Sequence, residues 1–427
     1  TSEPLLQVTA LAELAAEWLA AGGKNVSPLV GAALCRTLGE LGSLMPLPLS
    51  GGAAAREATV GQLLALVPQG TAATSSSGSS LAAAMHGAAL RALGQVCVGE
   101  PHAAYESAVI DACFTLGRVK AVGLQLGAAH TMACVLLGSD TSALDAGAWT
   151  VVREKSEAET AFVVDLLKRI LVDGVGSGHS FLRQAATLWL VQCCESASRL
   201  ADNAGARTVL ASHIVDVQAA FEYALTDRDL FTQEAASTGL SLTYQLSTET
   251  STQERLLAGL VKTLSTGAGN ATTKMAVQAG EPLFQAEALG LTPDGGSLAT
   301  YQEICSLATD VGQPELIYKF MGLARSNALW TSRTGAASGF AALAESETAR
   351  AALVDLVPAL APKLFRYRFD PDKRVQASMA RIWKALVGVV AEARSESSVQ
   401  TERMIVAEQF DEVLSSALEG IGQRAWR

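Results

Sequence analysis

The chain has 427 residues, of which 49 % are hydrophobic and only 5 % aromatic, and its formal net charge is −10. A chain of this length exceeds a single compact core, and its apolar content excludes an intrinsically disordered protein. The few aromatic residues, together with abundant Ala, Leu and Gly, favour close-packed helices over strands. The acidic balance argues against nucleic acid and against an anionic membrane surface as partners.

The first predicted interruption of the helical pattern lies at residues 42–80. The segments GSLMPLPLSGG and PQGTAATSSSGSS are rich in Gly, Pro and Ser, which is typical of flexible loops. Further along, residues 121–138 form the longest uncharged apolar stretch. Because Gln125, His130, Thr131 and three glycines interrupt it, we interpret it as a helix buried in a helical stack and predict no membrane insertion.

A helix that begins after a polar turn and continues with two small residues recurs along the chain. These helices are predicted at 86–97, 183–194, 233–246, 334–345 and 375–386, and their small pairs begin at 88, 185, 235, 336 and 377. The intervals resemble multiples of one unit of about 40–50 residues, the period of HEAT and armadillo arrays. The sequence therefore predicts an all-α fold, a HEAT/armadillo-type α-solenoid in which antiparallel helix pairs form a right-handed superhelix.

A segment at 265–299 lacks helical periodicity over much of its length, and we predict a long insertion between helices there. HEAT-like repeats are expected before it, over 1–264, and after it, over 300–427. An insertion of this length either carries contacts or regulation or is a passive loop, and the sequence leaves both readings open. Because the chain starts at Thr1 with no signal peptide, we expect an internal fragment of a much larger protein.

Residues 353–387 contain the clearest helical hairpin. Each half carries apolar residues at helical spacing: Leu353, Leu356, Val357, Leu360 and Leu364 in the first, and Val375, Met379, Ile382, Trp383 and Leu386 in the second. Pro358 and Pro362 interrupt the first half, and we expect a bent helix there. The alternative is a helix that starts near Pro358 with Asp355 as its cap.

Acidic residues in the predicted turns between helices are interpreted as helix caps, since a carboxylate there meets the positive end of the next helix. They are Asp227, Asp229, Asp370 and Asp372. Pro371, directly after Asp370, suits the first turn of the second helix of the hairpin.

The hairpin also holds the main excess of positive charge in the chain. Residues 363–384 carry seven basic residues and two acidic ones, and residues 366–369 alternate basic and aromatic side chains. One reading is a solvated ridge whose arginines pair with aspartates of adjacent turns. A second is a docking patch for an acidic protein surface, and RNA binding ranks third. The residues of the predicted docking patch are Arg366, Tyr367, Arg368, Lys373 and Arg374.

No catalytic constellation emerges from the sequence. The motifs GxSxG, HExxH, GxxxxGK[ST] and CxxC do not occur, so we predict no catalytic residues, metal, cofactor or small-molecule substrate. His179 is interpreted as a solvated or capping residue. The seven scattered cysteines, including Cys193 and Cys194, are interpreted as buried small hydrophobes. Such thiols indicate a reducing compartment, and we expect a cytoplasmic and also nuclear location.

Residues 289–340 and 356–387 closely resemble the family of proteasome adaptor and scaffold proteins. The motifs that carry the resemblance are the segments YKFM at 318–321, WTSR at 330–333 and FRYRFDP at 365–371, with DLFTQEAASTGLSLTYQL at 229–246. The resemblance is specific over about 227–387, whereas residues 1–226 share only the helical-repeat character. It implies a very large, non-enzymatic HEAT-repeat protein that binds the 26S proteasome and stabilises or monitors the association of its core and regulatory particles.

Two other function classes are compatible with a helical repeat. One is another carrier or scaffold, such as a nuclear transport receptor or a coat-type trafficking protein. The other is an enzyme on an α/α barrel, which needs carboxylates clustered at helix ends around a pocket. The predicted acidic turns recur along the array instead, which suits capping.

Overall fold

The computed structural model describes residues 3–22, 27–68, 80–141, 157–200, 205–247, 249–266, 335–340, 342–343, 352–369 and 373–422. Within these ranges every element is helical and none is a strand. The chain divides into two compact units, Thr1–His213 and Ile214–Arg427. The predicted all-α, α-solenoid class is confirmed, while the hand of the superhelix stays a prediction.

The first unit is built from nine described α-helices and one π-helical segment. They are α1 (Glu3–Gly22), α2 (Pro28–Leu44), α3 (Gly52–Leu66), α4 (Ser80–Gly99), α5 (Glu106–Gly117), α6 (Val122–Leu137), α7 (Glu157–Arg169) with the π-helical segment Ile170–Val175, α8 (Ser180–Arg199) and α9 (Gly205–Ser212). The helices α2, α4, α6 and α8 pack on one another in chain order and form an inner row. Helices α1, α3 and α5, and the π-helical segment, each pack on the inner helix that follows them.

Small residues allow the inner helices to approach closely. A β-carbon added to Gly94 of α4 would lie 2.9 Å from the Cα atom of Thr131 in α6. A β-carbon on Gly127 of α6 would lie 2.7 Å from Cδ1 of Leu90 in α4. Ala185 of α8 is fully buried. The backbones of the inner helices therefore meet where side chains are missing.

The spacing of the repeats is less regular than predicted. The inner helices α2, α4, α6 and α8 begin at residues 28, 80, 122 and 180, at intervals of roughly 40–60 residues. Two members of the row, α2 and α6, were absent from the predicted series. The predicted small pair that begins at residue 377 does not lie between packed helices, because Ala377 is exposed. Helix α14, in which it lies, buries large residues instead.

Residues 42–80 are not loop throughout. Helix α2 continues to Leu44, and residues 52–66, predicted as loop, form helix α3. Helix α3 buries Val60 and Leu63 at helical spacing. The flanking Gly and Pro residues, which mark only the ends of this helix, caused the error. Residues 69–79 lie outside the described residues.

The apolar stretch at 121–138 is a buried helix, as predicted. Of the sixteen residues of α6, ten are buried, including Gln125 and Thr131. By length and apolar content alone, a single helix within the described ranges could cross a membrane, and it is Leu81–Gly99 in α4, of which 56 % is buried. Because α4 packs between α2 and α6, its apolar character is explained by the helical stack.

The second unit contains helices described as α10 (Ile214–Ala224), α11 (Leu230–Leu246), α12 (Thr250–Thr266), α13 (Val357–Tyr367), α14 (Lys373–Arg394), α15 (Ser398–Glu408) and α16 (Phe410–Gly422). Helix α10 packs on α11 and α12, and α13 packs on α14 and α16. Residues 335–340 and 342–343 are also helical. The insertion predicted at 265–299 falls, beyond Thr266, outside the described residues. The boundary between the compact units lies at residues 213 and 214, and the predicted division of the chain by an insertion stays a prediction.

The turn before α11 confirms one predicted cap. The Asp229 carboxylate accepts hydrogen bonds from the backbone N–H of Thr232 at 2.8 Å and from its hydroxyl at 2.7 Å. Asp227 does not cap the helix, since its carboxylate accepts the N–H of Asp229 at 3.0 Å. The caps predicted at Asp370 and Asp372 lie outside the described residues.

The hairpin at 353–387 has both predicted apolar stripes. Leu360 and Leu364 of α13 and Met379 of α14 are among its buried residues. The alternative of a helix that starts near Pro358 matches the structure: residues 352–355 are helical, a turn interrupts the helix at Leu356, and α13 begins at Val357. Pro358 then lies in the first turn, where its missing N–H has no cost. Asp355 does not serve as the cap, because Leu356 holds that position.

Candidate partner-binding surface

The candidate surface begins where α13 ends. Helix α13 packs on α14 and α16 and buries Leu360 and Leu364, which fixes the direction of the last turn. The N–H of Arg368 donates to the carbonyl of Leu364 at 3.0 Å and so closes that turn. The side chains that follow the turn, Arg368 and Phe369, are held at the edge of the α13–α14 contact.

Arg368 is the centre of an aromatic and acidic cluster. Its Nη1 donates to Oε1 of Glu402 in α15 at 2.9 Å, and Trp383 Nε1 donates to the same oxygen at 2.9 Å. The guanidinium carbon lies 4.9 Å from the ring centroid of Phe365, 5.2 Å from that of Phe369 and 5.5 Å from that of Trp383. These separations are within the range of cation–π attraction.

The cluster stabilises the ionised form of Glu402. Hydrogen bonds from Arg368 and Trp383 hold the pKa of the Glu402 carboxyl below its ordinary value. The pair is half-exposed, with 27 % of the Arg368 side chain and 41 % of the Glu402 side chain accessible. Solvent therefore weakens the ion pair, and the aromatic rings share in fixing the position of the guanidinium.

The five predicted docking residues are not one exposed patch. Arg366 and Tyr367 are buried, with 8 % and 6 % of their surface exposed, and the Arg366 guanidinium lies 5.2 Å from the Tyr367 ring centroid. Arg368 is half-buried and Lys373 is exposed. Arg374 lies in α14, and its side chain is outside the described part of the chain. A docking role stays a prediction, and among the described side chains it falls to Arg368 and Lys373.

The alternative prediction was a ridge of arginines paired with aspartates. One arginine of the hairpin is paired as this predicts, but its partner is a glutamate. Arg368 pairs with Glu402 of α15 and not with an aspartate of an adjacent turn. Sequence distance concealed this pair, because nothing in a hairpin at 353–387 indicates that α15 returns to its turn.

A groove of about 510 Å³ runs beside Glu402 along α15. It is lined by Val399, Glu402, Arg403, Val406, Ala407 and Phe410. Val399 and Phe410 are 64 % and 57 % exposed, so the groove joins apolar side chains to the exposed guanidinium of Arg403. We use the name α15 groove for these six residues. The helical spacing of Val399, Val406 and Phe410 is the sequence signal that would have indicated this face.

The other residues singled out by sequence are mainly structural. His179 occupies the position before α8, but it does so through its carbonyl, which accepts the N–H of Arg183 at 3.0 Å, and its side chain does not cap the helix. Burial and the nearby Arg118 and Arg183 lower the pKa of its imidazole. Six cysteines are buried free thiols, as predicted: Cys35, Cys97, Cys113, Cys134, Cys193 and Cys194.

One cluster was missed by the sequence reasoning. His130, Cys134 and Asp140 bring their nitrogen, sulfur and oxygen atoms within 4.8 Å of one another. The spacing of His130 and Cys134, one helical turn apart, is the signal that was present. Asp140 follows the end of α6, and its approach depends on the turn at Gly138.

Comparison with known proteins gives consistent relatives by sequence. The chain is 32 % identical over 411 residues to the human proteasome adapter and scaffold protein ECM29, a match that covers 94 % of this chain and 20 % of that protein. It is 30 % identical over 338 residues to the Drosophila melanogaster proteasome-associated protein ECM29 homolog, covering 79 % of this chain and 16 % of that protein. The Saccharomyces cerevisiae proteasome component ECM29 is 33 % identical over 264 residues, covering 60 % of this chain and 13 % of its own. No family model matches the chain.

Solved structures give only distant likenesses. A crystal structure of an engineered protein has a TM-score of 0.25 at 14 % identity, covering 96 % of this chain and 99 % of its own. A Kap121p mutant has a TM-score of 0.28 at 12 % identity, covering 98 % of this chain and 44 % of its own. Neither likeness bears on function.

The sequence matches extend the resemblance beyond 227–387, because 94 % of the chain aligns with the human protein. The chain spans about one fifth of the length of that relative. Four relatives of 30–33 % identity carry names that place them with the proteasome. The resemblance indicated by the hairpin motifs is confirmed, and the chain belongs to the family of proteasome adaptor and scaffold proteins.

Proposed function

We propose that this chain is a proteasome-binding segment of a non-enzymatic adaptor and scaffold. The observation that carries the proposal is the 32 % identity to the human proteasome adapter and scaffold protein over 94 % of the chain. In the finer form of the proposal, the segment contacts the 26S particle and stabilises or monitors the association of its core and regulatory particles. The location that fits is the cytoplasm together with the nucleus, since the six described cysteines are free thiols and such thiols suit a reducing compartment.

The architecture of the first unit supports a scaffold. Its inner row buries Ala, Gly and Leu side chains between successive helices, so each helix pair is fixed by its neighbours. An array of this kind holds binding groups at set distances without needing a reactive centre.

The α15 groove and the adjacent Arg368 supply the candidate contact in the second unit. Exposed Val399 and Phe410 offer apolar area, while Arg403 and Lys373 offer positive charge on an acidic chain. Apolar area beside exposed cationic groups suits a protein partner with an acidic rim. The combination of apolar and basic side chains supports a contact with a specific protein over unspecific binding of anions.

The test is direct binding of the full 427-residue chain to purified 26S proteasome, measured by biolayer interferometry. Separated core and regulatory particles are measured in parallel, because a segment that bridges them binds both. We expect saturable binding to the 26S particle that weakens as salt is raised. An absence of binding to all three particles, with the chain folded by circular dichroism, would contradict the proposal.

Charge-reversal variants locate the contact. Lys373→Glu combined with Arg403→Glu changes two exposed residues of the candidate surface, and Lys120→Glu combined with Lys168→Glu makes the same charge change on exposed positions of the first unit. We expect the first pair to weaken binding about 10-fold or more and the second pair to leave it nearly unchanged. Equal effects of the two pairs would mean that overall charge, and not this surface, governs binding.

A further inference from the structure

The end of α6 brings three metal-ligating residues together inside the first unit. His130 and Cys134 are one turn apart on α6, so they share a face of the helix. Helix α6 ends at Leu137 and is capped by Gly138, whose φ of 64° is in the left-handed region. This conformation reverses the chain, and Asp140 returns to the face that holds His130 and Cys134.

The distances between the three side chains are short. His130 Nε2 lies 3.1 Å from Asp140 Oδ1. Cys134 Sγ lies 3.7 Å from His130 Nδ1 and 3.8 Å from Nε2. All three ligand atoms lie within 4.8 Å of one another. One nitrogen, one sulfur and one carboxylate oxygen therefore converge on a single small volume.

The surroundings form a built site and not a chance surface cluster. Cys134 and Asp140 are buried, with 2 % and 4 % of their surface exposed, and 17 % of the His130 side chain is exposed. Gln95 of α4, itself 2 % exposed, donates from Nε2 to Asp140 Oδ2 at 2.8 Å. The bond from Gln95 holds the carboxylate so that its other oxygen, Oδ1, faces His130.

We propose that His130, Cys134 and Asp140 bind one zinc ion. Zinc lies about 2.0–2.3 Å from nitrogen, oxygen and sulfur ligands, so tetrahedral ligand pairs are separated by about 3.3–3.7 Å. The measured separations of 3.1 Å and 3.8 Å bracket that range. The mixed nitrogen, thiolate and carboxylate set suits zinc better than magnesium or calcium, which prefer oxygen ligands.

The fourth position of such a site is open to water through the partly exposed side of His130. On binding, the Cys134 thiol gives its proton to solvent and its sulfur takes the metal as thiolate. The ion then links Asp140, in the segment after α6, to His130 and Cys134 of the helix. Because Gln95 donates to Asp140, the same contacts extend to α4. Such an ion braces the inner row, and the proposal does not rest on proteasome binding.

A hydrogen-bonded network without metal is the competing account. A His130–Asp140 hydrogen bond explains the 3.1 Å separation and needs no thiol. It predicts that Cys134 contributes only packing. The thiol is therefore the residue that separates the two accounts.

The experiment loads the full chain with zinc and measures metal content by inductively coupled plasma mass spectrometry after gel filtration. We expect about one zinc ion per chain. Cobalt(II) is then substituted for zinc, and the absorption spectrum is recorded. A thiolate-to-cobalt charge-transfer band and the strong visible bands of tetrahedral cobalt are expected, because Cys134 supplies one ligand.

Variants identify the ligands. Cys134→Ser and Asp140→Asn each keep the size of the side chain, and we expect both to abolish the bound zinc and the cobalt bands. Cys113→Ser, at a buried cysteine of α5 outside the cluster, is the matched control and is expected to retain both. Gln95→Ala, which removes the group that orients Asp140, should weaken zinc binding about 10–100-fold.

Two results would overturn the proposal. The first is a folded wild-type chain that holds no zinc and gives no thiolate–cobalt band. The second is a Cys134→Ser chain that keeps the zinc content of the wild type. The spectrum of the wild-type chain decides the matter even where a variant does not fold.

Discussion

The inner row of the first unit and the helices α13–α16 of the second fill the space between helices in opposite ways. In the first unit, glycine and alanine let backbones approach, as at Gly94 and Ala185. Around α13, the space is filled by large groups, with Phe365, Trp383 and the Arg368 guanidinium in mutual contact. One helical-repeat fold thus uses both close backbone contact and bulky, partly polar packing. Close backbone contacts are sensitive to added atoms, and bulky packing, around Trp189 as well as around α13, is sensitive to removed ones.

The polar contacts of the two regions also differ, because those of the first unit are more deeply buried than the Arg368–Glu402 pair of the second. In the first unit, the Thr131 hydroxyl donates to the Leu90 carbonyl at 2.8 Å, and Gln125 donates to the carbonyls of Val119 and Phe181. These bonds join neighbouring helices away from water. The Arg368–Glu402 contact is half-exposed, so it is screened and more easily exchanged for another partner. The second region is therefore the better place for a contact that forms and breaks.

The largest expected effect comes from removing the indole ring of Trp189 in α8. Trp189 is fully buried, and its ring lies 5.0 Å from that of Phe114 in an edge-to-face arrangement. Trp189→Ala should lower the free energy of unfolding by about 3–5 kcal/mol, measured by urea unfolding followed by circular dichroism. Trp18→Ala, at a tryptophan that is 56 % exposed, is the control and should change it by less than about 1 kcal/mol.

Adding a single methyl group tests the close approach of the helices. Gly94→Ala places a β-carbon 2.9 Å from Thr131 Cα and should destabilise the chain by about 1–3 kcal/mol. Gly87→Ala, on the same helix α4, meets nothing within 4 Å and should stabilise it by about 0.5–1 kcal/mol. Opposite signs in thermal melting support the contrast. Two stabilising shifts would show that helix propensity, and not contact, dominates.

Removing the guanidinium tests the packing around α13. Arg368→Ala loses three ring contacts and the bond to Glu402, and we expect a loss of about 1–2 kcal/mol. Lys373→Ala, at an exposed position, should be within about 0.5 kcal/mol of the wild type. Tryptophan fluorescence during urea unfolding gives both values. If Arg368→Ala leaves the free energy of unfolding unchanged, the cluster does not stabilise the fold, and Arg368 can bind a partner without loss of stability.

The smallest effect is a dependence on acid pH. Because the pKa of Glu402 is lowered in the folded chain, its ionised form adds stability above the ordinary carboxyl pKa. That contribution is lost as the pH falls through the lowered pKa of the folded state. Glu402→Gln should therefore melt below the wild type at pH 7, and the gap should close in acid. Glu412→Gln, at an exposed residue of α16, is the control for the loss of one surface carboxylate.

Helical periodicity correctly predicted most of the buried apolar residues of the hairpin. The stripes of Leu360, Leu364, Met379 and Ile382 are buried as expected, because an apolar residue at helical spacing has no other stable place. Arg366 escaped this logic. It lies one turn after the buried Pro362 and is itself buried, whereas a pattern of charges assigns every arginine to solvent.

The candidate sites depended on contacts that no local pattern contains. Glu402 reaches Arg368 from a helix that begins at Ser398, and Asp140 reaches His130 only because Gly138 adopts a left-handed conformation. In both cases the residues were visible in the sequence and the turn that joins them was not. Local spacing finds pairs on one helix, such as His130 and Cys134, and misses the third member.

The π-helical segment Ile170–Val175 bears on how such an array changes length during evolution. Its end is marked by the Gly176 N–H, which donates to the Leu171 carbonyl, five residues back, at 3.0 Å. A segment of this kind accommodates one extra residue inside a helix, while Gly174 still lies against Ala186 of α8. Insertions can therefore be absorbed within an outer helix without moving the inner row. The interval between successive inner helices can therefore vary while their contacts are kept, and a search for a fixed period will miss such repeats.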